Sequence, residues 1–231
     1  MIESLVFNLA VTLVPLILAI AVHEWAHVAM ARFLGDRTGE ERGRLTLNPL
    51  AHIDPVWTVG LPAFLVVSST LSAGATAVIP FFAAGKPAPY NPLRFTRKLG
   101  GQRVTMRTGE LMVAAAGPAS NVALALLTTA LLFVLVRTGN GLADPRSFSH
   151  LAFSFILLNV GLASFNLLPV PPLDGSKVLM SLLPRPAAAK YEAVASQLSW
   201  VLLLLLVFGG GRFLLAPIQR FAMELVLRVV G

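Results

Sequence analysis

The sequence predicts an all-α polytopic membrane protein, and three observations carry that prediction. Of its 231 residues, 56% are hydrophobic and only 13% are charged, whereas soluble domains carry about 25% charged residues. Its mean hydropathy is +0.76. Several apolar runs with few or no charges are long enough to cross a hydrocarbon core of about 30 Å.

The charged residues fit the same class of protein. A net charge of +7 arises from 18 Lys and Arg against 11 Asp and Glu, and the basic residues concentrate between apolar segments, as in cytoplasmic loops. The sequence contains no aromatic-rich basic stripe of the kind that stacks nucleobases, so we expect no nucleic-acid partner. It also contains no cysteine, which excludes disulfides, thiolate metal sites and a cysteine nucleophile.

The first predicted element is a spanning helix over residues 4–33. It lacks a basic n-region and carries His23 and Glu24 where a signal peptide would be discarded, so it is interpreted as a permanent span. Four arginines at its C-terminal end place that end in the cytoplasm: Arg32, Arg37, Arg42 and Arg44. Alternating Leu45 and Leu47 then predict a short membrane-associated β element over 43–48.

Residues 56–84 form a hydrophobic segment without formal charge, interrupted by glycine and proline. As a helix it would be roughly 43 Å long, which suffices for one crossing and not for two. The following loop, 85–110, carries six Lys or Arg against Glu110 alone, which predicts a cytoplasmic location. The segment is therefore predicted to be re-entrant, although a full crossing stays open.

The remaining apolar runs complete the predicted bundle. Residues 111–136 and 150–168 predict a second and a third span, joined by an outward loop. Residues 193–208 predict a fourth span, and the tail beyond 211 predicts a helix that either spans or lies in the interface. Together they predict one membrane-embedded domain over 1–231, with a three-span core at about 4–183 and C-terminal membrane helices at about 190–231.

The first span carries an H-E-x-x-H motif, His23-Glu24-Trp25-Ala26-His27. On a helix the two imidazoles at i and i+4 share one face and can bind a single zinc ion. Glu24 beside the metal can act as general base and then general acid. Polar residues at a helix end are the simple alternative, but ionisable groups inside a span are costly and mark functional sites.

A catalytic zinc site needs a third protein ligand. His52, His150 and Asp174 are candidates, and of the four Asp residues only Asp174 lies against a span. Its alternative role is to cap a helix that begins at Gly175. If 56–84 is re-entrant, Asp174 reaches the same side of the membrane as the histidines. Cobalt or manganese could occupy a similar ligand set.

Three motifs in this order resemble the site-2 protease family of intramembrane zinc metalloproteases, and its short prokaryotic branch most closely. HEWAH matches the family's H-E-x-x-H, GPASN matches G-P-x-x-N, and NLLPVPPLDG matches N-x-x-P-x-P-x-L-D-G. The resemblance extends from the first span to about Leu183. The resemblance implies that His23, His27 and Asp174 bind Zn²⁺ and that Glu24 is the catalytic base.

The same resemblance implies roles for two amides. Asn121 of GPASN and Asn166 of NLLP would face the active site, where they could stabilise an oxyanion or hold the substrate backbone. Without the resemblance, interhelical hydrogen bonding is nearly as good an explanation. The 43–48 element would resemble a strand that pairs with an unwound substrate, and a plain loop is its alternative.

The HIDP stretch supplies two further candidates, His52 and Asp54. Both lie next to the hydrophobic segment and could approach the metal from behind its ligands. Asp54 before Pro55 is more simply a helix cap. His52 is either a contact behind the ligands, a substrate contact or an interfacial residue.

The function predicted from these features is intramembrane zinc endoproteolysis, within or near transmembrane segments of membrane proteins. The implied partners are a transmembrane protein substrate and the lipid bilayer, while a homo-oligomer or a regulatory membrane partner stays open. The predicted location is a prokaryotic cytoplasmic membrane, with a multi-pass chain and the active site toward the cytoplasm. Alternatives are a catalytically silent scaffold, a metal or ion transporter, and another zincin type with a Glu as third ligand, for which Glu110 and Glu192 are poor candidates because they lie outside the spans.

Overall fold

The structure, a computed structural model, describes residues 2–71, 84–139, 141, 142, 144, 146–205 and 211–230. Within these residues the regular secondary structure is helical apart from one small β-hairpin. Its helices are α1 (Ile2–Phe33), α2 (Thr38–Glu41), α3 (Leu61–Leu71), α4 (Met106–Arg137), α5 (Phe148–Asn166), α6 (Asp174–Leu182), α7 (Arg185–Leu205) and α8 (Gly211–Val230). Short 3-10 turns occupy Pro49–Ala51 and Pro92–Arg94, and a π-helix occupies Pro55–Gly60.

Three of the described helices are long and apolar enough to cross a membrane: α1, α4 and α5. They correspond to the three predicted core spans, so the expectation of an all-α membrane protein is confirmed at this level. The middle helix, α4, packs extensively against both α1 and α5, whereas α1 and α5 share a smaller contact through one buried apolar cluster. The core is therefore arranged around α4.

Polar and small residues, as well as apolar ones, lie on the faces that these helices bury. On α1 the buried set includes Leu16, Ala19, Ile20, His23 and His27, which follow the i, i+3, i+4 spacing of one helical face. On α4 the buried set includes Val113, Gly117 and Asn121. Small residues at such an interface let two membrane helices approach closely.

The hydrophobic segment that follows α1 begins and ends at neighbouring positions. It starts as the π-helix and continues into α3, while residues 72–83 lie outside the described part. Thr58 Oγ1 donates a 2.6 Å hydrogen bond to the Ala84 carbonyl, and Lys86 N donates a 2.8 Å bond to the His52 carbonyl. At Ala84 the chain is therefore back beside the start of the segment.

The loops before and after this segment are joined through a buried aspartate, Asp36. One carboxylate oxygen accepts hydrogen bonds from the Thr38 backbone N–H and hydroxyl, and the other accepts a 2.6 Å bond from Asn91 N. The Leu34 carbonyl accepts further bonds from Thr96 N and Arg97 N. These bonds hold the end of α1 against the chain that leads into α4.

The predicted β element over 43–48 is wrong, because that stretch forms turns and bends. Arg44 donates to the Ala51 carbonyl, and the Asn48 side chain caps the 3-10 turn, so the stretch folds back on itself. The observed hairpin pairs β1 (Lys98–Leu99) with β2 (Gln102–Arg103). Its turn residues, Gly100 and Gly101, have φ of +57° and +83°, which favours the two-residue hairpin turns rich in glycine.

The C-terminal helices follow a short turn after α5. The predicted fourth span corresponds to α7, which begins earlier, at Arg185, while residues 206–208 lie outside the described part. Its first turns carry Arg185, Lys190 and Glu192, which lowers their hydropathy, and α7 is not among the three candidate spans. Helix α8 packs against α5 and α4. Membrane insertion of α7 and α8 stays a prediction.

Candidate metal centre

The two histidines of the H-E-x-x-H motif face the same buried interior. Because they are four residues apart on α1, they lie one turn apart on one face. Their Nε2 atoms are 3.1 Å apart, their rings meet edge to face at 83°, and each residue is 6% exposed. Two imidazoles thus present ring nitrogens to one point between the helices.

Asp174, the first residue of α6, completes this cluster from the other end of the sequence. Its Oδ2 lies 3.1 Å from His23 Nε2 and 3.1 Å from His27 Nε2. The three atoms therefore form a nearly equilateral triangle. A tetrahedral zinc site with ligand bonds of about 2.0–2.1 Å has ligand-to-ligand distances of about 3.3 Å, so this triangle has the dimensions of one face of such a site.

The hydrogen-bond partners of the two Nδ1 atoms determine which ring nitrogens of His23 and His27 carry protons. His27 Nδ1 lies 2.7 Å from the Val113 carbonyl, which can only accept, so Nδ1 holds the proton. His23 Nδ1 lies 2.6 Å from Asn121 Oδ1. Neutral imidazole protonated at Nδ1 leaves an unshared electron pair at Nε2.

The orientation of the Asn121 amide follows from a chain of bonds that ends on a carbonyl. Asn159 Nδ2 donates to the Phe155 carbonyl at 2.9 Å, so Asn159 Oδ1 is free to accept from Asn121 Nδ2 at 2.9 Å. Asn121 Oδ1 therefore faces His23 and accepts a hydrogen bond from its Nδ1–H. Such partners behind metal-binding histidines set the tautomer and the ring orientation.

Three electron pairs thus converge on one buried point, two from imidazole nitrogens and one from a carboxylate. Buried acceptors without a donor between them are costly, and a divalent cation removes that cost. His23, His27 and Asp174 are close enough together to hold a metal ion, and nitrogen and oxygen donors of this kind suit zinc. The residues present fit the ion.

Relatives of this chain carry this chemistry in their names. Over 218 residues, 94% of this chain and 89% of the relative, the chain is 33% identical to "Putative zinc metalloprotease YwhC" of Bacillus subtilis (strain 168). Residues 136–206 match peptidase family M50. The chain belongs to the site-2 protease family.

Other relatives of this zinc metalloprotease agree. "Putative zinc metalloprotease Rip2" of Mycolicibacterium smegmatis is 30% identical over 211 residues, which cover 91% of this chain and 69% of the relative. The protein of the same name from Mycobacterium tuberculosis (strain H37Rv) is 30% identical over 193 residues, 82% of this chain and 63% of the relative. No solved structure matches the chain. Family membership and the three apolar helices make the chain a membrane metalloprotease that uses zinc.

Two glycines of the family motifs allow the ligands to meet. A Cβ atom at Gly117 of GPASN would overlap the His27 ring and approach His23 Cε1 to 2.7 Å. A Cβ atom at Gly175, next to Asp174, would overlap the Leu167 carbonyl group. Glycine at these positions lets α4 approach the histidines and lets α6 begin beside the end of α5.

Glu24 lies on the wall of a cavity of about 150 Å³ beside the ligand triangle. It is 8% exposed, and no residue in the described part of the chain donates a hydrogen bond to its carboxylate. Asn166 lines the same cavity, and its Nδ2 donates to the Leu162 carbonyl at 3.0 Å. Both residues therefore lie on the wall of the cavity that His23, His27 and Asp174 also line.

The structure moves Asn121 away from the role expected of it. It is fully buried, and its amide is engaged by His23 on one side and by Asn159 on the other. It therefore lies behind His23, where it orients the ring, and its amide is not directed at a substrate. The interhelical hydrogen bond that the sequence left as an alternative is what the structure contains.

The HIDP residues also lie outside the ligand triangle. Asp54 Oδ1 accepts hydrogen bonds from Val56 N and Trp57 N, both at 2.9 Å, so Asp54 is the helix cap that its place before proline suggested. His52 is 1% exposed, and its Nε2 lies 2.8 Å from the Thr46 carbonyl. His52 therefore holds the 43–52 turn together, and the hydrogen bonds of both residues go to partners other than His23, His27 and Asp174 in the described part of the chain.

Sequence reasoning missed three residues around the centre. Asn159 connects Asn121 to α5, and its position two turns before Asn166 on an otherwise apolar span was the signal that could have identified it. Tyr90 and Lys177 line the cavity. Lys177 follows Asp174 by three residues and so shares its helical face, whereas nothing in the sequence around Tyr90 indicates its place.

Proposed function

We propose that this membrane metalloprotease hydrolyses peptide bonds within or near the transmembrane segments of membrane proteins. The observation that carries the proposal is the position of the ligand pair inside a spanning helix. His27 is six residues and His23 ten residues before Phe33, the last residue of α1, which corresponds to depths of about 9 Å and 15 Å along the helix. A bond cleaved there lies below the membrane surface.

Each chemical role falls to a residue beside the cavity. His23, His27 and Asp174 hold the zinc ion, which when bound polarises a carbonyl oxygen and makes water a better acid. Glu24 accepts a proton from the attacking water and later delivers it to the leaving amine. Because its carboxylate has no donor among the described residues, it is free to take that proton.

The size of the cavity limits what can enter. About 150 Å³ is less than the roughly 300 Å³ of a small-molecule site, and an α-helix with side chains is about 10–12 Å across. Only a short extended stretch of substrate fits beside Glu24. The substrate helix must therefore unwind locally, which also frees the scissile carbonyl from its own helical hydrogen bond.

The direction of the helices supports a cytoplasmic site and a re-entrant segment. His27 contacts Val113 and His23 contacts Asn121, so α1 and α4 run antiparallel. The end of α1 and the start of α4 then lie at one membrane face, and the chain between them must return to the face it left. The bonds from Thr58 to Ala84 and from Lys86 to His52 agree with that return.

The basic loops favour the cytoplasm as this face. The residues that follow α1 and precede α4 are rich in Lys and Arg, which the positive-inside rule assigns to the cytoplasm. The proposed setting is accordingly a prokaryotic cytoplasmic membrane, in which 1–231 forms one membrane-embedded domain. Its substrates are transmembrane proteins that reach the centre from the bilayer, while water reaches it from the cytoplasm.

The test is cleavage of a panel of transmembrane substrates by purified protein in lipid nanodiscs, with the cleaved bond located by mass spectrometry. The variant is Glu24→Gln, and the matched control is Glu224→Gln on the exposed face of α8. We expect Glu24→Gln to keep its zinc and to lose cleavage by about 10²–10⁴-fold, while Glu224→Gln cleaves like the wild type. Cleavage confined to water-exposed loops, or an active Glu24→Gln variant, would overturn the proposal.

A further inference from the structure

Hydrogen-bond donors at the carbonyl oxygen accelerate peptide hydrolysis, because negative charge collects there as water adds. Asn121 does not supply one, since its Nδ2 donates to Asn159 Oδ1 at 2.9 Å and to the Ala19 carbonyl at 3.5 Å. Asn166 has already given one N–H to the Leu162 carbonyl. The other side chains with donors on the cavity wall are those of Tyr90 and Lys177, among the residues described there.

The backbone around Tyr90 is held firmly. Directly after it, Asn91 N donates a 2.6 Å hydrogen bond to the buried Asp36 carboxylate. A few residues before it, Lys86 N is bonded to the His52 carbonyl. The Tyr90 ring packs against the apolar cluster that includes Phe95 and Val113. Because the backbone is hydrogen-bonded on both sides of Tyr90 and its ring is packed, the hydroxyl group can act as a donor without a further loss of conformational entropy.

The hydroxyl group of Tyr90 is available and keeps its proton. In the part of the chain that the structure describes, no residue hydrogen-bonds to it. Burial, reinforced by the carboxylates of Glu110 and Asp174, raises the pKa of Tyr90 to about 12. The phenol therefore lies within electrostatic reach of Asp174 and remains an O–H donor at neutral pH.

We propose that Tyr90 is a catalytic residue whose phenol O–H donates a hydrogen bond to the substrate carbonyl oxygen as that oxygen becomes anionic. This inference rests on the proposed function and deepens it. The proton of the phenol stays on Tyr90 throughout. The water proton goes to Glu24 and then to the leaving amine, so the new donor changes the stability of the charged oxygen and nothing in the proton balance.

Lys177 has a supporting position in this arrangement. Its ammonium nitrogen lies 5.7 Å from the centre of the Tyr90 ring, on the helix that begins with Asp174. A cation over an aromatic face is attracted by the ring, so Lys177 helps to hold the ring in place. It is also the rival donor, and the experiment separates the two.

The experiment compares Tyr90→Phe with Tyr191→Phe, because the chain has only two tyrosines and the Tyr191 hydroxyl donates its hydrogen bond to the Pro169 carbonyl. Removing one oxyanion donor lowers kcat by about 10²–10³-fold. We expect that loss for Tyr90→Phe, with KM and zinc content within about twofold of the wild type, and no change for Tyr191→Phe. Wild-type kcat in Tyr90→Phe, or a loss explained by lost zinc, would overturn the proposal.

A second measurement tests the hydrogen bond itself. In the Tyr191→Phe background Tyr90 is the sole tyrosine, so fluorotyrosines of graded acidity can be placed there alone. A donor role predicts that kcat rises as the phenol becomes more acidic while it stays protonated, whereas a packing role predicts no trend. A flat series, or a kcat lost in Lys177→Met and retained in Tyr90→Phe, refutes the assignment to Tyr90.

The substrate panel keeps this inference separate from the proposed function. The same variants are assayed on a soluble peptide as well as on transmembrane substrates. If only the soluble peptide is cut, intramembrane cleavage fails while the Tyr90 effect is still measured. If both are cut and Tyr90→Phe is fully active on both, the Tyr90 inference alone fails.

Discussion

The bond between Asn121 and His23 offers the sharpest test of the metal centre, because Asn121 touches a metal ligand without facing the cavity. In Asn121→Leu a side chain of similar size replaces the amide, so His23 Nδ1–H loses its 2.6 Å acceptor and Asn159 Oδ1 loses its donor. A buried polar group left without a partner costs about 1–3 kcal/mol. If the His23 ring rotates so that its Nδ1–H finds another acceptor, Nε2 no longer points at the metal position and the affinity for zinc falls.

The expected result is a zinc affinity about 10–100-fold weaker, the range measured when partners behind metal-binding histidines are removed. Titration against a chelator of known affinity measures it, in detergent or nanodiscs at fixed pH. Asn159→Leu, one bond further from His23, is the graded control and should weaken zinc binding by a smaller factor. An Asn121→Leu affinity within twofold of the wild type, or a larger effect at Asn159, would refute the orientation argument.

Two further predictions concern positions on either side of the centre. Gly117→Ala should reduce zinc content severely, because its methyl group would overlap a His27 ring that Val113 holds in place. Metal analysis of the purified protein measures this. Full zinc occupancy in a folded Gly117→Ala protein would contradict it. Asp54→Ala should cost about 0.5–2 kcal/mol of stability, because two backbone N–H groups lose their acceptor. It should leave zinc affinity unchanged in the chelator titration, and a tenfold loss would show that Asp54 acts at the metal.

The cluster of candidate metal ligands could be predicted from the sequence because the residues depend on local helix geometry and on the free-energy cost of burying charged groups. An i, i+4 pair lies on one face of any helix, which brings His23 and His27 together. A carboxylate beside an apolar span needs a partner, which makes Asp174 a candidate third ligand. Their predicted proximity agrees with the 3.1 Å distances. The three core spans followed in the same way from hydropathy alone.

The role of Asn121 could not be predicted, because its amide is oriented by a residue on another helix. The motif gives a residue type and a position on α4, but whether an amide faces outward or inward depends on what accepts and donates around it. Here Asn159 on α5 determines the orientation of the Asn121 amide.

The β element was misplaced for a simpler reason. Two alternating leucines are too short a pattern, and the Gly100-Gly101 pair was the better hairpin signal.

One face of α4 accounts for the geometry of the ligand pair on α1. Val113, Gly117 and Asn121 are spaced four residues apart and share that face. The Val113 carbonyl accepts a hydrogen bond from His27 Nδ1–H, and Asn121 Oδ1 accepts one from His23 Nδ1–H. Gly117 between them leaves room for the two rings. The metal centre is therefore prepared by the packing of two antiparallel helices, so a change that shifts α4 along α1 would disturb both histidines at once.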